Sequence, residues 1–213
     1  MIKGIITTGD IVDSSFISNE WKSKISEILQ KVIYDFIIQS PANLEMFRGD
    51  SFQITVENPS FALAIGIALR AALRANTPDG LTPWDARISI GIGEVSFESE
   101  SILTSDGEAF RLSGRGFDTL GKRRLFISTS TEGLNAELKL NTAFADEIIT
   151  KWTPKQAAVV YVGLIKEASQ KDMAESMDMK LSNFNKHWNL AHVSLILSYI
   201  NRFQFLISNI YTL

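Results

Sequence analysis

Asp85–Phe97 reads DARISIGIGEVSF. Apolar and polar residues alternate along it, the period of a strand with unlike faces. Gly91 and Gly93 stand in its second half. Upstream, Asn58-Pro59-Ser60 opens a helix over about 60–75, rich in Ala, Leu and Ile. Before that, residues 43–47 and 51–57 read as two strands around Arg48-Gly49-Asp50, a tight hairpin. Residues 19–39 have helical spacing, with Trp21, Ile25, Ile28, Leu29, Val32, Ile33 and Phe36 on one stripe. Asn19 is placed to cap that helix. Residues 2–8 (IKGIITT) read as a buried strand ended by Gly9-Asp10. Downstream, residues 107–120 read as a helix and Arg124–Thr129 (RLFIST) as a strand.

The order is β-α-β-β-α-β, then α and β, which is the split βαβ plan. The expected fold class is α+β and ferredoxin-like, an antiparallel sheet with helices on one face. In that plan the first strand and the central hairpin are neighbours. Asp10, at the strand's end, and Asp50, at the hairpin tip, are therefore expected side by side. From about residue 151 the texture changes. Thr153-Pro154 starts a helix over 153–167, with Thr as N-cap and Pro at its first position. Ser169 caps a short helix over 169–177, and residues 181–207 keep a helical pattern with no Gly or Pro. Two units are expected, an α+β domain over 1–150 and a small all-α unit over 151–213.

The 213 residues are 45% hydrophobic and 21% charged, which excludes a disordered chain. No cysteine is present, so disulfides, thiolate catalysis and Cys-ligated metals are excluded. With two His, a His-rich metal site is not expected. The net charge of −3 hides a split. Residues 1–150 carry 14 Lys and Arg against 20 Asp and Glu, and residues 151–213 carry 7 against 4. The N-terminal stretch MIKGIITTGD lacks the long apolar core of a signal peptide. The most apolar windows, Phe61–Leu73 and Leu190–Leu206, are broken by Arg70 and by His192, Asn201 and Arg202. Neither reaches the ~20 apolar residues of a membrane span. A cytoplasmic protein with no membrane partner is the expectation.

Four motifs stand in one order: Asp10-Ile11-Val12 after the first strand; Gly49-Asp50 at the hairpin; Arg87 to Val95 (RISIGIGEV); and Gly107 to Arg115 (GEAFRLSGR) at a helix start. Two carboxylates at adjacent strand ends suit a hard divalent cation that bridges phosphates. An Arg on a facing helix, Arg111 or Arg115, suits charge developing on a transferred phosphoryl group. Gly-Asp at a hairpin is equally ordinary turn chemistry, and Arg on a helix face is equally an ordinary solvated charge.

Over most of residues 1–130 these motifs resemble the class III nucleotide cyclase homology domain. That resemblance implies Asp10, Asp50 and the Ile11 carbonyl as ligands of Mg²⁺ or Mn²⁺; Asp13, three residues past Asp10, is placed to supply a further ligand. It implies Arg115 as the transition-state cation and a homodimer that completes the site. The family's Asn position holds Arg111, its base-selecting Lys position holds Met46, and Asp13-Ser14-Ser15 replaces its usual Gly-Phe-Thr.

The segment from Ser169 to His187 resembles a helix-turn-helix. Ala174 permits close crossing, Met173, Met177 and Met179 take core positions, and Asp178 stands where a left-handed turn residue is usual. The second helix would offer Ser182, Asn183, Asn185, Lys186 and His187 to a DNA major groove. A plain helical hairpin or a dimerisation module is the alternative. The tail charge of +3 is low for DNA binding. Both resemblances together, with the opening Gly9-Asp10-Ile11-Val12-Asp13-Ser14, resemble the SatD family of small bacterial proteins. The expected function is a regulatory protein that binds a nucleotide or other phosphorylated small molecule and contacts DNA. The alternatives are an active divalent-metal-dependent cyclase or related phosphoryl-transfer enzyme, and an oligomerisation scaffold.

Overall fold

A computed structural model of the chain describes residues 1–12, 19–47 and 51–211, without the side chains of residues 6–10 and 19. The first half runs β1 (Ile2–Ile11), α1 (Asn19–Phe36), β2 (Ala42–Phe47), β3 (Ser51–Val56), α2 (Ala62–Ala75) and β4 (Ala86–Phe97). The strand order β2-β3-β1-β4 is antiparallel throughout and is that of the split βαβ plan. Then come β5 (Asp106–Gly107), α3 (Glu108–Thr119), β6 (Leu125–Thr129) and α4 (Glu132–Thr150). The outer edge of β4 takes two partners, β6 in parallel along Ile88–Ile92 and β5 antiparallel at Val95–Phe97. The sheet is thus mixed rather than wholly antiparallel.

β4 explains the layering. Its Ile88, Ile90 and Ile92 are buried on the face covered by α2, where a side chain on Gly66 would meet Ile90. Its other face carries Ser89, Gly91 and Gly93. A Cβ on Gly91 would lie 2.2 Å from the Ala109 carbonyl oxygen and 2.6 Å from the Ser113 nitrogen. One on Gly116 would lie 2.4 Å from the Ser89 hydroxyl. Only a glycine strand lets α3 lie with its backbone directly on the sheet. The expectation of helices on one face is therefore corrected. α3 covers the opposite face, over a second apolar cluster of Ile5, Val95 and Ala109.

After Trp152 follow α5 (Pro154–Ile165), α6 (Gln170–Ser176), α7 (Leu181–Leu190) and α8 (Val193–Tyr211). Thr153 and Gln156 close a reciprocal capping box at the start of α5, and Ser169 caps α6. These helices share one buried core with the sheet: Trp152, Ala157, Val160, Phe184, Phe203 and Ile207 join the residues under α2. Tyr161 of α5 donates to Asp35 of α1 at 2.6 Å, and burial together with that carboxylate pushes its phenol above the ordinary tyrosine value. The helical pattern over 181–207 is divided between two helices. His192 takes φ +54°, α7 and α8 meet at 58°, and the Trp152 indole donates to the Ala191 carbonyl at 2.9 Å. No single helix among the described residues is long and apolar enough to cross a membrane. The α7–α8 pair passes that test only taken together.

At the junction of these layers lies a buried ion network. Asp85, at the head of β4, accepts from Arg70 at 2.8 and 2.9 Å, from Arg74 at 2.9 Å and from Arg124 at 2.9 Å. Arg70 also donates to Asp146 of α4 at 2.6 Å. Arg74 donates to the Thr150 and Trp152 carbonyls at 2.7 and 2.8 Å, capping the C-terminal end of α4. Arg70 and Asp85 are fully buried. Burial alone would raise the Asp85 carboxyl, but Arg70, Arg74 and Arg124 together hold it at about 2, against an ordinary 3.8.

Because the folded-state value lies below the unfolded one, this contribution is complete above about pH 4 and is lost as pH falls toward 2. Acid unfolding followed by circular dichroism should show a loss of roughly 2 kcal/mol through that window. Asp85→Asn should abolish this part of the pH dependence. It should also cost ~3–5 kcal/mol at neutral pH, because it leaves Arg74 with no carboxylate and Arg70 with Asp146 alone.

Candidate functional site

The carboxyl end of β1 and the start of β3 lie at one edge of the sheet, through the pairs Gly4↔Val56 to Thr7↔Gln53. Ile11 ends β1 opposite Ala86, with its side chain buried in the main core. The Val12 amide donates to the Asp85 carbonyl at 2.9 Å, which anchors the chain as it leaves the strand. Asp10 belongs to β1, but its side chain lies outside the described residues, as do Asp13, the Arg48-Gly49-Asp50 turn and the Asn19 cap. The geometry of the expected Asp10, Ile11 and Asp50 cation site is thus outside the description. Among the described residues, no group of three or more His, Asp or Glu is placed to hold a metal.

The two arginines of α3 differ. The helix runs back along β4, with Ala109 over Gly91 and Gly116 over Ser89. Ser89 pairs with Thr7, so the C-terminal half of α3 lies toward the carboxyl end of β1. Arg115 is exposed there and has no ion pair among the described residues. Arg111, one turn earlier, donates to Asp106 of β5 at 3.0 Å. The Asp106 carboxylate is only five residues away in sequence, a local pairing that the motif reading passed over. Met46, where the resemblance puts a base-selecting residue, is half-buried against the main core. Glu45 beside it accepts from the Ser101 hydroxyl at 2.7 Å and from the Ile102 amide at 2.7 Å. That ties the 98–105 connection back to β2.

At the other end of the molecule, α6 and α7 are joined through Met177–Lys180. Asp178 has φ +49°, the left-handed conformation expected at that turn, and Met173 and Ala174 are buried beneath it. Met177 and Met179 are half-buried against the same core. Of the five residues expected to face DNA, Ser182, Asn183 and Lys186 are exposed. Asn185 and His187 are half-buried. The Asn185 Oδ1 and His187 Nδ1 atoms are turned inward, with no hydrogen-bond partner among the described residues. From Gln170 to Leu190 three Lys face three Asp or Glu, so this hairpin has no net charge.

No family model and no curated protein matches the chain. Among the solved structures that resemble it over part of its length are two nucleotide cyclases. One is the crystal structure of the guanylyl cyclase Cya2, 22% identical over 55% of this chain and 70% of that one, with a TM-score of 0.42. The other is a bacterial light-regulated adenylyl cyclase, 16% identical over 59% and 76%, with a TM-score of 0.44.

The glycine face of β4 sets where α3 and its arginines sit. Gly91→Ala should cost ~1–3 kcal/mol or more, measured by denaturant titration, because backbone atoms, which cannot rotate away, occupy the space a methyl needs. Gly80→Ala, an exposed turn position with φ +80° and open space around it, should show only the smaller backbone penalty.

Proposed function

We propose that the chain is a regulatory protein whose α+β domain binds a nucleotide or another phosphorylated small molecule. Mg²⁺ or Mn²⁺ would join the ligand at the sheet edge where β1 ends. The observation that carries the reading is the strand order. It sets the end of β1, which holds Asp10, beside the chain entering β3, which Asp50 immediately precedes. The Arg115 turn of α3 lies toward the same end, with its guanidinium unpaired among the described residues. Two carboxylates and an unpaired guanidinium suit a cation with its attendant phosphates. The cation would be hard and held by oxygen, since the chain has no thiol.

In this reading α7 is the output. The turn at Asp178 and the exposed Ser182, Asn183 and Lys186 support contact with DNA. The alternative, an active cyclase or phosphoryl-transfer enzyme, is disfavoured by Met46. A thioether packed against the core offers no polar group to select a base.

Thermal unfolding with nucleoside triphosphates and Mn²⁺ tests the ligand site. Stabilisation should appear in the wild type, fall in Asp50→Ala and weaken in Arg115→Ala. A shift that survives Asp50→Ala would remove that residue from the site. Release of pyrophosphate from the triphosphate would favour the enzyme instead. Fluorescence anisotropy with duplex DNA at low salt tests the output. Lys186→Ala should weaken binding and reduce the salt slope by about one, as for loss of one phosphate contact. Binding unchanged in Lys186→Ala and Asn183→Ala would exclude α7 as the DNA-facing helix.

A further inference from the structure

We propose that two copies of this chain pair through α4, antiparallel, about a two-fold axis at Phe144. α4 buries Leu134, Leu138, Ala145 and Ile149 against the body. Its outward side carries two large apolar residues among the charges usual for a surface helix. Leu140 is 61% exposed and Phe144 62% exposed, and Leu195 of α8, 58% exposed, lies beside them. Between α4 and α8 runs a groove of about 360 Å³, lined by Phe144, Ile148, Leu195 and Tyr199, with Arg202 at its end. Tyr199 is bonded to Thr142 at 2.6 Å, and Arg202 to Glu137 at 2.9 Å, so the two helices form one firm surface. Contiguous exposed apolar surface of this kind on a water-soluble face marks an interface.

The charges specify which partner. Glu137 and Lys151 stand seven residues before and after Phe144, and Leu140 and Ile148 stand four before and after it. All five fall on one side of the helix at the 3–4 residue spacing of a packing seam. Antiparallel pairing at Phe144 sets Glu137 of each copy, which holds Arg202 of its own chain, against Lys151 of the other, which holds its own Glu147 at 2.6 Å, so that charges of opposite sign alternate across the seam. It also sets Leu140 of one copy against Ile148, a residue of the groove, in the other. Asn141 meets Glu147, so no like charges are opposed. Parallel pairing would oppose Glu137 to Glu137 and Glu147 to Glu147. The face is thus self-complementary under a two-fold rotation and in one orientation only, the condition for an isologous dimer. The inference uses no residue of the proposed ligand site or of α7, and it stands or falls separately from both.

Size-exclusion chromatography of the full chain with light scattering should give twice the monomer mass. Phe144→Asp should weaken the dimer ~10-fold or more while leaving the melting curve of the monomer unchanged, since the ring is mostly exposed. Glu137→Lys and Lys151→Glu should each weaken it, and the double variant should restore it. Because the chain has no cysteine, Phe144→Cys supplies a single thiol at the axis. Mild oxidation should give a covalent dimer, whereas Leu81→Cys, at an exposed position away from α4, should not. A monomeric wild type would overturn the proposal. So would a dimer indifferent to Phe144→Asp, or a Phe144→Cys protein that does not cross-link.

Discussion

The carboxylate of Asp85 is the point on which the structure turns. It stands at the head of the central strand and is fully buried among three guanidinium groups, two from α2 and one from the turn before β6. A buried charge is tolerated only when its partners are complete, and here each partner has a second duty. Arg70 reaches Asp146 of α4, while Arg74 holds the last carbonyls of the same helix. The Arg124 amide donates to Asp146, and its carbonyl accepts from Ile88, which starts the parallel pairing of β4 with β6. One polar cluster thereby fixes where α2, α4, β4 and β6 stand relative to one another. Apolar packing against these helices would be less directional.

The strands and most helices were legible because their cause is local. Alternation in β4, the Thr153–Gln156 capping box, the Ser169 cap and the left-handed Asp178 all follow from residue type and spacing. What was not legible depends on partners far away in sequence. Arg70 reads only as a blemish in an apolar stretch, since Asp146 lies seventy-six residues on. α4 has no clean apolar stripe, because Leu140 and Phe144 stand on its outer side. The break between α7 and α8 has no Gly or Pro to announce it. It rests on His192 at positive φ, with the freed Ala191 carbonyl taken up by the Trp152 indole.

The candidate site divides in the same way. That β1 and β3 are neighbours follows from element order, so the expectation that the two strand ends meet needed no contacts to be known. The layering of α3 was foreshadowed by small residues at 89, 91 and 93 opposite large ones at 88, 90 and 92, a pattern that admits a helix backbone on one face only. Arg111 and Arg115 look alike in sequence, and a carboxylate on a neighbouring short strand separates them.

The bonds around Asp85 also form a continuous route across the molecule. The Val12 amide, just past the end of β1, rests on the Asp85 carbonyl, and the Asp85 carboxylate holds Arg74. Arg74 grips the Trp152 carbonyl, and the indole of Trp152 holds the Ala191 carbonyl where α7 gives way to α8. Every link is a directional hydrogen bond, and most are buried. Apolar interfaces can slide by small steps at little cost, whereas a chain of such bonds cannot lengthen without breaking. The exit of the first strand and the base of the exposed α7 helix are therefore joined as two ends of one stiff strut.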